Sequence, residues 1–483
     1  MNYRMICRLL CAVLRIVAAF MVPAALISLY YHEIRTCYSF LITIGLMLLL
    51  SCFSMIWKPK KKTFYAREGF VLASLSWVMM SVLGALPFVF SGTIPHFVDA
   101  LFETTSGFTT TGASIVTDFS QLTHGILYWR SFTHWLGGMG VLVFLLSLES
   151  FASGAGDSIH IMRAESPGPQ VNKLVPHTIG SARILYGMYI GMTLVMLVLL
   201  LLGGENWEQA ITTAMGTAGT GGFAISPESM ADKSPYVQWV VGIFMMLFGV
   251  NFGIYYLMLQ RSWKKIFRNE ELLTYLGIFV VATAAITICI YPQYGFVDGL
   301  RQSFFQVSSI ATSTGFASAD FNLWPQFART LLVMLMLSGA CAGSTGGGFK
   351  ISRVLILLKG LRHEIRRSLH PNTISSVHMD GDKVSKETVT NTYAYLVAYC
   401  LIIMISVLLL SFDPFTFEEN VTAEIACLNN IGPGLGAVGP TGSYAGYSVL
   451  SKLVLSVNML LGRLEIFPIL ILFVPGVWKK ARN

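Results

Sequence analysis

Four short glycine-centred turns carry the residues of this chain whose types and spacing could bind an ion. Each turn follows a half-length apolar or amphipathic segment. They occupy residues 109–113 (TTTGA), 219–223 (GTGGF), 312–316 (TSTGF) and 429–433 (NNIGP). Glycine tolerates left-handed backbone conformations that aim carbonyl oxygens at one axis, and such oxygens can replace the water shell of a dehydrated cation. Four such turns in one chain predict a pore to which each of four repeats contributes one wall.

The composition predicts a membrane protein. Of 483 residues, 54% are hydrophobic and 12% are charged, whereas a soluble domain carries roughly 25% charged residues. A bilayer-spanning helix needs about 20 mostly apolar residues. Segments that meet this need are 7–30, 39–57, 70–91, 127–150, 183–203, 236–259, 273–292, 328–358, 391–411 and 451–476.

The distribution of lysine and arginine predicts the orientation. With the N-terminus inside and the sides alternating, 26 of these cations lie on the inner side against 6 outside, and Arg463 lies within a span. Cytoplasmic loops of membrane proteins carry this excess. We therefore expect a multi-pass membrane protein with cytoplasmic N- and C-termini. The outer loops hold 14 acidic residues, which would concentrate cations at a pore mouth or would simply keep the loops solvated.

The order of segments predicts the fold class. A half-length segment at membrane depth is tolerated only where its backbone lines a cavity or is buried in protein. The unit of span, half-helix, filter turn and span occurs four times, with half-helices at 97–108, 207–218, 297–311 and 417–428. We predict an all-α polytopic membrane protein with four such repeats around a central pore. The predicted limits are 1–67 for a two-helix N-terminal addition, then 68–181, 182–270, 271–390 (with a cytoplasmic segment) and 391–483 for the repeats.

Several motifs give the chain a family resemblance over essentially its whole length. They are TTTGA at 109–113, GGF at 221–223, NNIGPGLG at 429–436, GACAGSTGGG at 339–348, SPGP at 166–169 and LGRLE at 461–465. The chain resembles the bacterial Trk-type potassium-uptake membrane subunits, the TrkH family of the TrkH/KtrB/HKT superfamily. The two extra N-terminal spans favour TrkH over KtrB. This resemblance implies potassium uptake through a carbonyl-lined filter.

The resemblance also implies which residues form the filter. One glycine from each turn would line it, and the preceding residues would add carbonyl sites. The predicted set is Thr111, Gly112, Thr220, Gly221, Gly222, Thr314, Gly315, Asn430, Ile431 and Gly432. In plant relatives, serine at the first filter glycine accompanies sodium preference, so Gly112 favours potassium. Ile431 stands where two other turns have threonine, which leaves the outermost ion site open.

A glycine-rich stretch in the last span of the third repeat is the candidate gate. It comprises Gly343, Ser344, Thr345, Gly346, Gly347 and Gly348. Three consecutive glycines weaken a membrane helix and favour a non-helical segment. The resemblance implies an intramembrane loop that obstructs the pore until activation. Close packing of helices through small residues is the alternative.

Arg463 is the second gating candidate, roughly 16 Å into the last span if that span is helical from Lys452. A buried arginine usually faces a cavity or a partner. Below the filter it would oppose cation passage. A structural salt bridge, with Glu465 or with a neighbouring repeat, is the alternative, and the neighbouring repeat is favoured because residues two apart do not share a helix face.

Other functions are less consistent with the sequence. A membrane-embedded enzyme would need His, Asp or Glu clusters within the spans, so we expect no enzyme activity and no catalytic residue. An alternating-access transporter would be expected to have inverted repeats, whereas these four run in one sense. A Na⁺- or H⁺-coupled symporter of the same superfamily, with broader K⁺/Na⁺ selectivity, remains the alternative function.

The remaining expectations concern ligands and partners. Neither the G-x-G-x-x-G match at 434–439 nor the phosphate-loop-like run at 343–350 has its required context, so K⁺ is the expected ligand and no nucleotide site is predicted on this chain. The resemblance implies a homodimer with a docked nucleotide-binding cytoplasmic ring (TrkA-like). The basic segment 353–390, with Lys264, Lys265 and Arg268, is the expected contact for that ring.

Overall fold

The computed structural model describes residues 1–56, 66–140, 179–370 and 376–478, and these residues are largely helical. Six of the described helices are long and apolar enough to cross a membrane, and a seventh crossing arises if one bent pair of helices is a single span. This architecture confirms the predicted all-α polytopic fold. The only departure among the described residues is a two-stranded hairpin of four paired residues.

The first two helices form the N-terminal addition. They are α1 (Tyr3–Tyr30) and α2 (Ile34–Ile56). Glu33, in the turn between them, accepts hydrogen bonds from the backbone N–H groups of His124 (2.7 Å) and Gly125 (3.2 Å). These N–H groups belong to the start of a helix in the first repeat and would have no partner within that helix. The N-terminal pair is therefore fastened to the pore-forming part through a helix N-terminus.

The remaining helices follow the repeating order predicted for the pore. The first repeat contains α3 (Ala66–Gly84), α4 (Leu86–Ser91), the half-helix α5 (Phe97–Phe108) and α6 (His124–Gly138). The second contains α7 (Ile179–Leu202), the half-helix α8 (Trp207–Ala218), α9 (Pro235–Phe248), α10 (Phe252–Leu259) and α11 (Trp263–Ile266).

The third repeat contains α12 (Glu270–Ala311), α13 (Gln326–Met336), α14 (Ile351–Leu369) and the hairpin of β1 (His378–Met379) and β2 (Asp382–Lys383). The fourth contains α15 (Lys386–Leu410), the half-helix α16 (Phe417–Leu428), α17 (Val449–Arg463), α18 (Phe467–Leu472) and α19 (Pro475–Trp478). The predicted residue limits of the repeats stay predictions.

The half-helices are too short to cross the membrane, and capping side chains mark where two of them begin. Each of α5, α8 and α16 has 12 residues, which is about 18 Å of helix and too short for a hydrocarbon core of roughly 30 Å. The Asn206 side chain caps α8, and Thr416 with Glu419 forms a capping box on α16. The third half-helix, 296–311, is the end of α12. Gly295 separates it from the preceding span with a non-helical φ of 71° and ψ of −174°.

The second spans of the second, third and fourth repeats are interrupted, which corrects the sequence prediction. Segment 236–259 bends by 89° between α9 and α10. Segment 328–358 is broken by a non-helical stretch, 337–350. Segment 451–476 breaks after Arg463, where Glu465 and Ile466 have φ of 60° and 63°. These three are not continuous helices. In the predicted segment 127–150, α6 ends at Gly138, and 141–150 lies outside the described residues, as does the SPGP motif.

Candidate ion filter and gate

The four predicted filter turns share one backbone conformation. In each turn, the residue after the half-helix cap is left-handed, and so is the glycine two positions later. The first set is Thr110 (φ 56°), Thr220 (53°), Ser313 (56°) and Asn430 (54°), and the glycines are Gly112 (80°), Gly222 (72°), Gly315 (87°) and Gly432 (96°). Two of these residues are threonines, and a β-branched residue in this conformation is an outlier. The recurrence of the left-handed conformation at one position indicates a constraint common to all four turns.

Two backbone hydrogen bonds impose that constraint. In the first turn, the Thr111 N–H donates to the Ser106 carbonyl (2.9 Å) and the Thr110 N–H donates to the Gly107 carbonyl (3.1 Å). This is a Schellman motif, which satisfies carbonyls left over at a helix C-terminus. The bond equivalent to the first runs from Gly221 to Gly216 (2.9 Å), from Thr314 to Ser309 (2.8 Å) and from Ile431 to Ala426 (2.8 Å). These bonds offset a left-handed conformation that costs roughly 1–2 kcal/mol.

The four turns meet in a closed ring. Each glycine approaches the carbonyl oxygen of the residue that precedes the next filter glycine. A β-carbon built on the glycine would lie at these distances from that oxygen: Gly112 to Gly221, 2.1 Å; Gly222 to Thr314, 2.0 Å; Gly315 to Ile431, 2.0 Å; Gly432 to Thr111, 2.7 Å. The last contact returns to the first turn. A side chain at any of these positions would have to displace a carbonyl of the ring.

The second turn contains additional glycines because α6 passes very close to it. A β-carbon on Gly221 would lie 2.2 Å from the His134 ring, and one on Gly219 would lie 2.2 Å from the His134 carbonyl oxygen. The imidazole fills this space and makes two hydrogen bonds. Its Nδ1 lies 2.8 Å from the Gly107 carbonyl, and its Nε2 accepts from the Phe223 N–H at 3.2 Å. This pattern assigns a neutral ring protonated at Nδ1, and the ring joins the first half-helix to the second turn.

A buried ion pair holds the first two turns from the outer side of the ring. Glu103 of α5 and Arg130 of α6 are almost completely buried and 2.6 Å apart. The Glu103 carboxylate also accepts from the Ser114 hydroxyl and the Ile115 N–H (both 2.9 Å), and Arg130 donates to the Ala224 carbonyl (3.2 Å). Ser114 and Ala224 each lie two residues beyond a filter glycine. The sequence analysis counted these two charges as loop charges. The sequence signal that could have indicated this ion pair was an acidic residue within a half-helix together with an arginine near the start of the next span.

One side of the ring is open. A cavity of about 190 Å³ has all four filter glycines in its lining. Tyr444 closes part of its wall, because the Tyr444 hydroxyl donates to the Gly432 carbonyl (2.7 Å) and the Tyr444 N–H donates to the Ser114 carbonyl (2.9 Å). Tyr444 therefore joins the fourth turn to the first. The sequence analysis did not identify this tyrosine.

The glycine-rich segment 337–350, here called the gate loop, lies against the other side of the ring. A β-carbon on Gly346 would be 2.9 Å from the Thr312 carbonyl oxygen, and one on Gly347 would be 2.6 Å from the Asn430 β-carbon. The Gly347 N–H donates to the Ser313 hydroxyl at 2.7 Å. The predicted gating glycines therefore contact the third and fourth filter turns. The segment is non-helical, as its consecutive glycines predicted, and its small residues pack against the filter turns and not between helices.

The gate loop is also bonded to the second repeat. The Cys341 N–H donates to the Gly249 carbonyl (3.1 Å), and the Gly343 carbonyl accepts from the Phe252 N–H (3.1 Å). The Thr345 hydroxyl donates to the Phe248 carbonyl at 3.2 Å. These partners lie at the 89° bend between α9 and α10, so the break in that span supplies the backbone groups that the loop needs.

Arg463 connects the gate loop to the first repeat. Its guanidinium donates to the Thr345 carbonyl (2.8 Å) and to the carbonyls of Gly137 (2.5 Å) and Gly138 (2.8 Å). Gly137 and Gly138 end α6, where carbonyls lack partners within the helix and a cation is favoured by the helix dipole. Glu465 forms its ion pair with Arg353 (2.5 Å). Of the structural alternatives for Arg463, contact with neighbouring repeats is therefore the one observed, and it is made with backbone carbonyls.

Lys350 adds a second buried basic side chain to the gate loop. Its ammonium donates to the carbonyls of Gly346 and Gly347 (the latter at 3.2 Å), and its side chain is 1% exposed. The sequence analysis counted it among the inner cations but gave it no role in the gate. Lys350 and Arg463 are therefore two basic side chains that donate hydrogen bonds to carbonyls of the loop next to the ring.

The fold and this ring define a class: polytopic membrane proteins whose pore is assembled from four repeats of one chain. Comparison with known proteins is consistent with that class. The TrkH family, described as cation transport protein, matches residues 38–291 and 281–480, and this chain belongs to that family.

Individual relatives resemble the chain over nearly its full length. The chain is 32% identical to the Trk system potassium uptake protein TrkH of Escherichia coli strain K12, across 99% of this chain and 100% of that protein. It is 31% identical to TrkG of the same strain, across 95% of each. The crystal structure of the potassium transporter TrkH from Vibrio parahaemolyticus superimposes with a TM-score of 0.87 at 28% identity and covers 99% of this chain and 100% of that one.

Proposed function

We propose that this protein carries out potassium-selective uptake across the bacterial inner membrane through the ring formed by its four filter turns. The observation that supports this most directly is the closed cycle of glycine–carbonyl contacts, in which Thr111, Gly221, Thr314 and Ile431 supply one carbonyl each. Four carbonyl oxygens around one axis offer a dehydrated monovalent cation the ligands that its water shell provided. The relatives named Trk system potassium uptake proteins favour potassium as that cation.

The hydrogen bonds of the turns explain how the carbonyls could keep their positions when an ion leaves. Each turn is closed by its Schellman bonds, and the Asn430 amide donates to the Thr111 hydroxyl at 3.0 Å, which links the fourth turn to the first. A rigid ring favours a cation of one size because carbonyls that cannot follow a smaller ion bind it less well. Selectivity in this account depends on the turns and on the bonds between them.

The gate loop with Arg463 and Lys350 would close the pore on the inner side. The loop contacts the second, third and fourth repeats directly and the first through Arg463. The guanidinium of Arg463, which is bonded to a carbonyl of the loop, also opposes the passage of a second positive charge. Conduction therefore requires the loop and Arg463 to move away from the axis.

The proposal also includes the orientation of the protein in the membrane and its protein partners. The positive-inside distribution supports cytoplasmic termini, so the basic helix α14 and the hairpin would face the cytoplasm. We include in the proposal a homodimer and a nucleotide-binding ring, similar to TrkA, that docks on this face. Chemical crosslinking in native membranes tests both partners, and crosslinks from the ring to the opposite face would contradict the docking.

Reconstitution tests the proposed activity. The purified protein is placed in liposomes loaded with K⁺, and uptake of ⁸⁶Rb⁺ is driven by the outward K⁺ gradient, with and without the ring protein. We expect uptake above that of empty liposomes and inhibition by external K⁺ but much less by Na⁺. Equal inhibition by Na⁺ would favour the less selective symporter, and an absence of uptake under both conditions would contradict the proposal.

A further inference from the structure

One buried carboxylate accepts a hydrogen bond from the gate loop and another from the helix that follows the loop. Glu271, the second residue of α12, is 5% exposed. Its Oε1 accepts from the Ala342 N–H (2.7 Å), in the first half of the loop, and from the Ser352 N–H (3.1 Å), just after the loop. Ser352 lies in the first turn of α14, where N–H groups lack helical partners and a carboxylate is favoured.

The hairpin binds the N-terminus of α12, which is the helix end that carries Glu271. The hairpin turn is Asp380-Gly381, with φ of 56° and 90°, the pair of left-handed residues of a type I′ turn. The Asp380 carboxylate accepts from the N–H of Glu270 (2.7 Å) and from the Asn269 amide (3.1 Å). Asp380 thus caps the N-terminus of α12 one residue before Glu271.

The hairpin is fixed to α14 as well as to α12. Lys359 of α14 pairs with Glu270 and donates to the His378 carbonyl at 2.8 Å. Val377, Met379 and Val384 pack on Ile356 of α14 in a small separate core. The hairpin, the start of α12 and the start of α14 therefore form one connected unit that ends at Glu271.

The gate loop is held between this unit and the filter. On the filter side, the loop is bonded to Ser313 and Asn429. On the other side, among the described hydrogen bonds between the loop and α12, the acceptor is Glu271. A shift of the α12 N-terminus relative to α14 would stretch the bonds to Ala342 and Ser352 at the same time. Loss of the Asp380 hydrogen bonds would free the α12 N-terminus to make such a shift.

We propose that Glu271 is a positioning residue that holds the gate loop in its obstructing position, and that the hairpin controls the loop through Asp380 and the N-terminus of α12. The inference deepens the proposed function, on which its flux prediction rests. Force applied to the hairpin would reach the loop by the path Asp380, Glu270, Glu271, Ala342. The hairpin is thereby the part of the inner surface through which a docked protein would open the pore.

Two measurements on the full-length protein test this proposal. The first is hydrogen–deuterium exchange of peptides covering 337–352, and the second is ⁸⁶Rb⁺ uptake in liposomes without any partner protein. The variants are Glu271→Ala, Glu271→Gln, Asp380→Ala and Asp382→Ala. Asp382 is an exposed carboxylate of the same hairpin and serves as the matched control.

We expect Glu271→Ala to speed exchange in 337–352 at least about tenfold, because two amides lose a charged acceptor, and to raise partner-free uptake. Glu271→Gln retains one acceptor oxygen and should give a smaller change in both. In the described contacts, Asp380 does not touch the loop, yet Asp380→Ala should speed hydrogen exchange in 337–352. Asp382→Ala should exchange at the wild-type rate.

Unchanged loop exchange in Asp380→Ala would overturn the control by the hairpin, and unchanged exchange in Glu271→Ala would overturn the positioning role. The exchange readout does not depend on ion flux. A wild-type protein that never conducts would therefore contradict the proposed function while leaving the exchange results to decide the inference about Glu271.

Discussion

The guanidinium of Arg463 lies 2.8 Å from the carbonyl oxygen of Thr345 and also binds the last carbonyls of α6. One side chain of the fourth repeat therefore ties the gate loop of the third repeat to the first. In the proposed gate, the charge of Arg463 would repel cations and its hydrogen bonds would hold the loop, and substitutions at Arg463 can separate these two contributions.

Replacing Arg463 by lysine and by glutamine distinguishes these contributions. Lysine keeps the charge but lacks the planar fork of donors that reaches three carbonyls, and glutamine removes the charge. If the hydrogen bonds dominate, both variants should raise partner-free ⁸⁶Rb⁺ uptake several-fold. If the charge dominates, only the glutamine variant should raise this uptake. Wild-type uptake in both variants would contradict a gating role for Arg463.

Gly221 and His134 should show strong energetic coupling. Gly221→Ala places a β-carbon about 2 Å from the imidazole and should disturb the second turn. His134→Ala leaves the Phe223 N–H without its acceptor, at a cost of about 1–3 kcal/mol. The double variant relieves the clash, so its loss of thermal stability should be smaller than the sum of the two single losses. The melting temperatures of all four proteins in detergent form the cycle, and additive losses would contradict the contact.

The buried pair of Glu103 and Arg130 should contribute much more to stability than an exposed pair. Glu103→Ala leaves a buried guanidinium without its carboxylate, which costs roughly 3–5 kcal/mol. The matched control is Asp298→Ala. That aspartate is 54% exposed in its pair with Arg301, so its loss should cost about 1 kcal/mol or less. Equal shifts in melting temperature for the two variants would argue against a structural role of the buried pair in the filter.

The sequence predicted the fold class and the four filter turns because these depend on local signals. Apolar length identifies spans, and glycine at a fixed distance after a half-helix identifies a turn. The breaks in the second spans at Gly249, in 337–350 and after Arg463 were harder to predict, since apolar composition alone does not reveal where a helix stops. The gate loop was anticipated because its glycines are consecutive.

Contacts between distant residues could not be predicted from one sequence. Nothing near His134 indicates that its ring fills the space beside Gly221, 87 positions later, and the partner of Glu271 is a pair of backbone N–H groups that any residue could supply. The hairpin had a local signal, Asp380-Gly381, but the basic composition around it indicated only a solvated inner surface. Side chains that position the gate are thus the part of the site for which the structure was needed.

The most direct test of the four-turn filter is ion selectivity in proteoliposomes with Gly315→Ser. Gly315 is left-handed, and its β-carbon would lie 2.0 Å from the Ile431 carbonyl oxygen, so serine must displace a filter carbonyl. Gly277→Ser is the matched control, because Gly277 has open space around it. We predict that wild type and Gly277→Ser pass K⁺ and Rb⁺ well above Na⁺ and Li⁺, and that Gly315→Ser loses this preference. Selectivity that is unchanged in Gly315→Ser would contradict the filter.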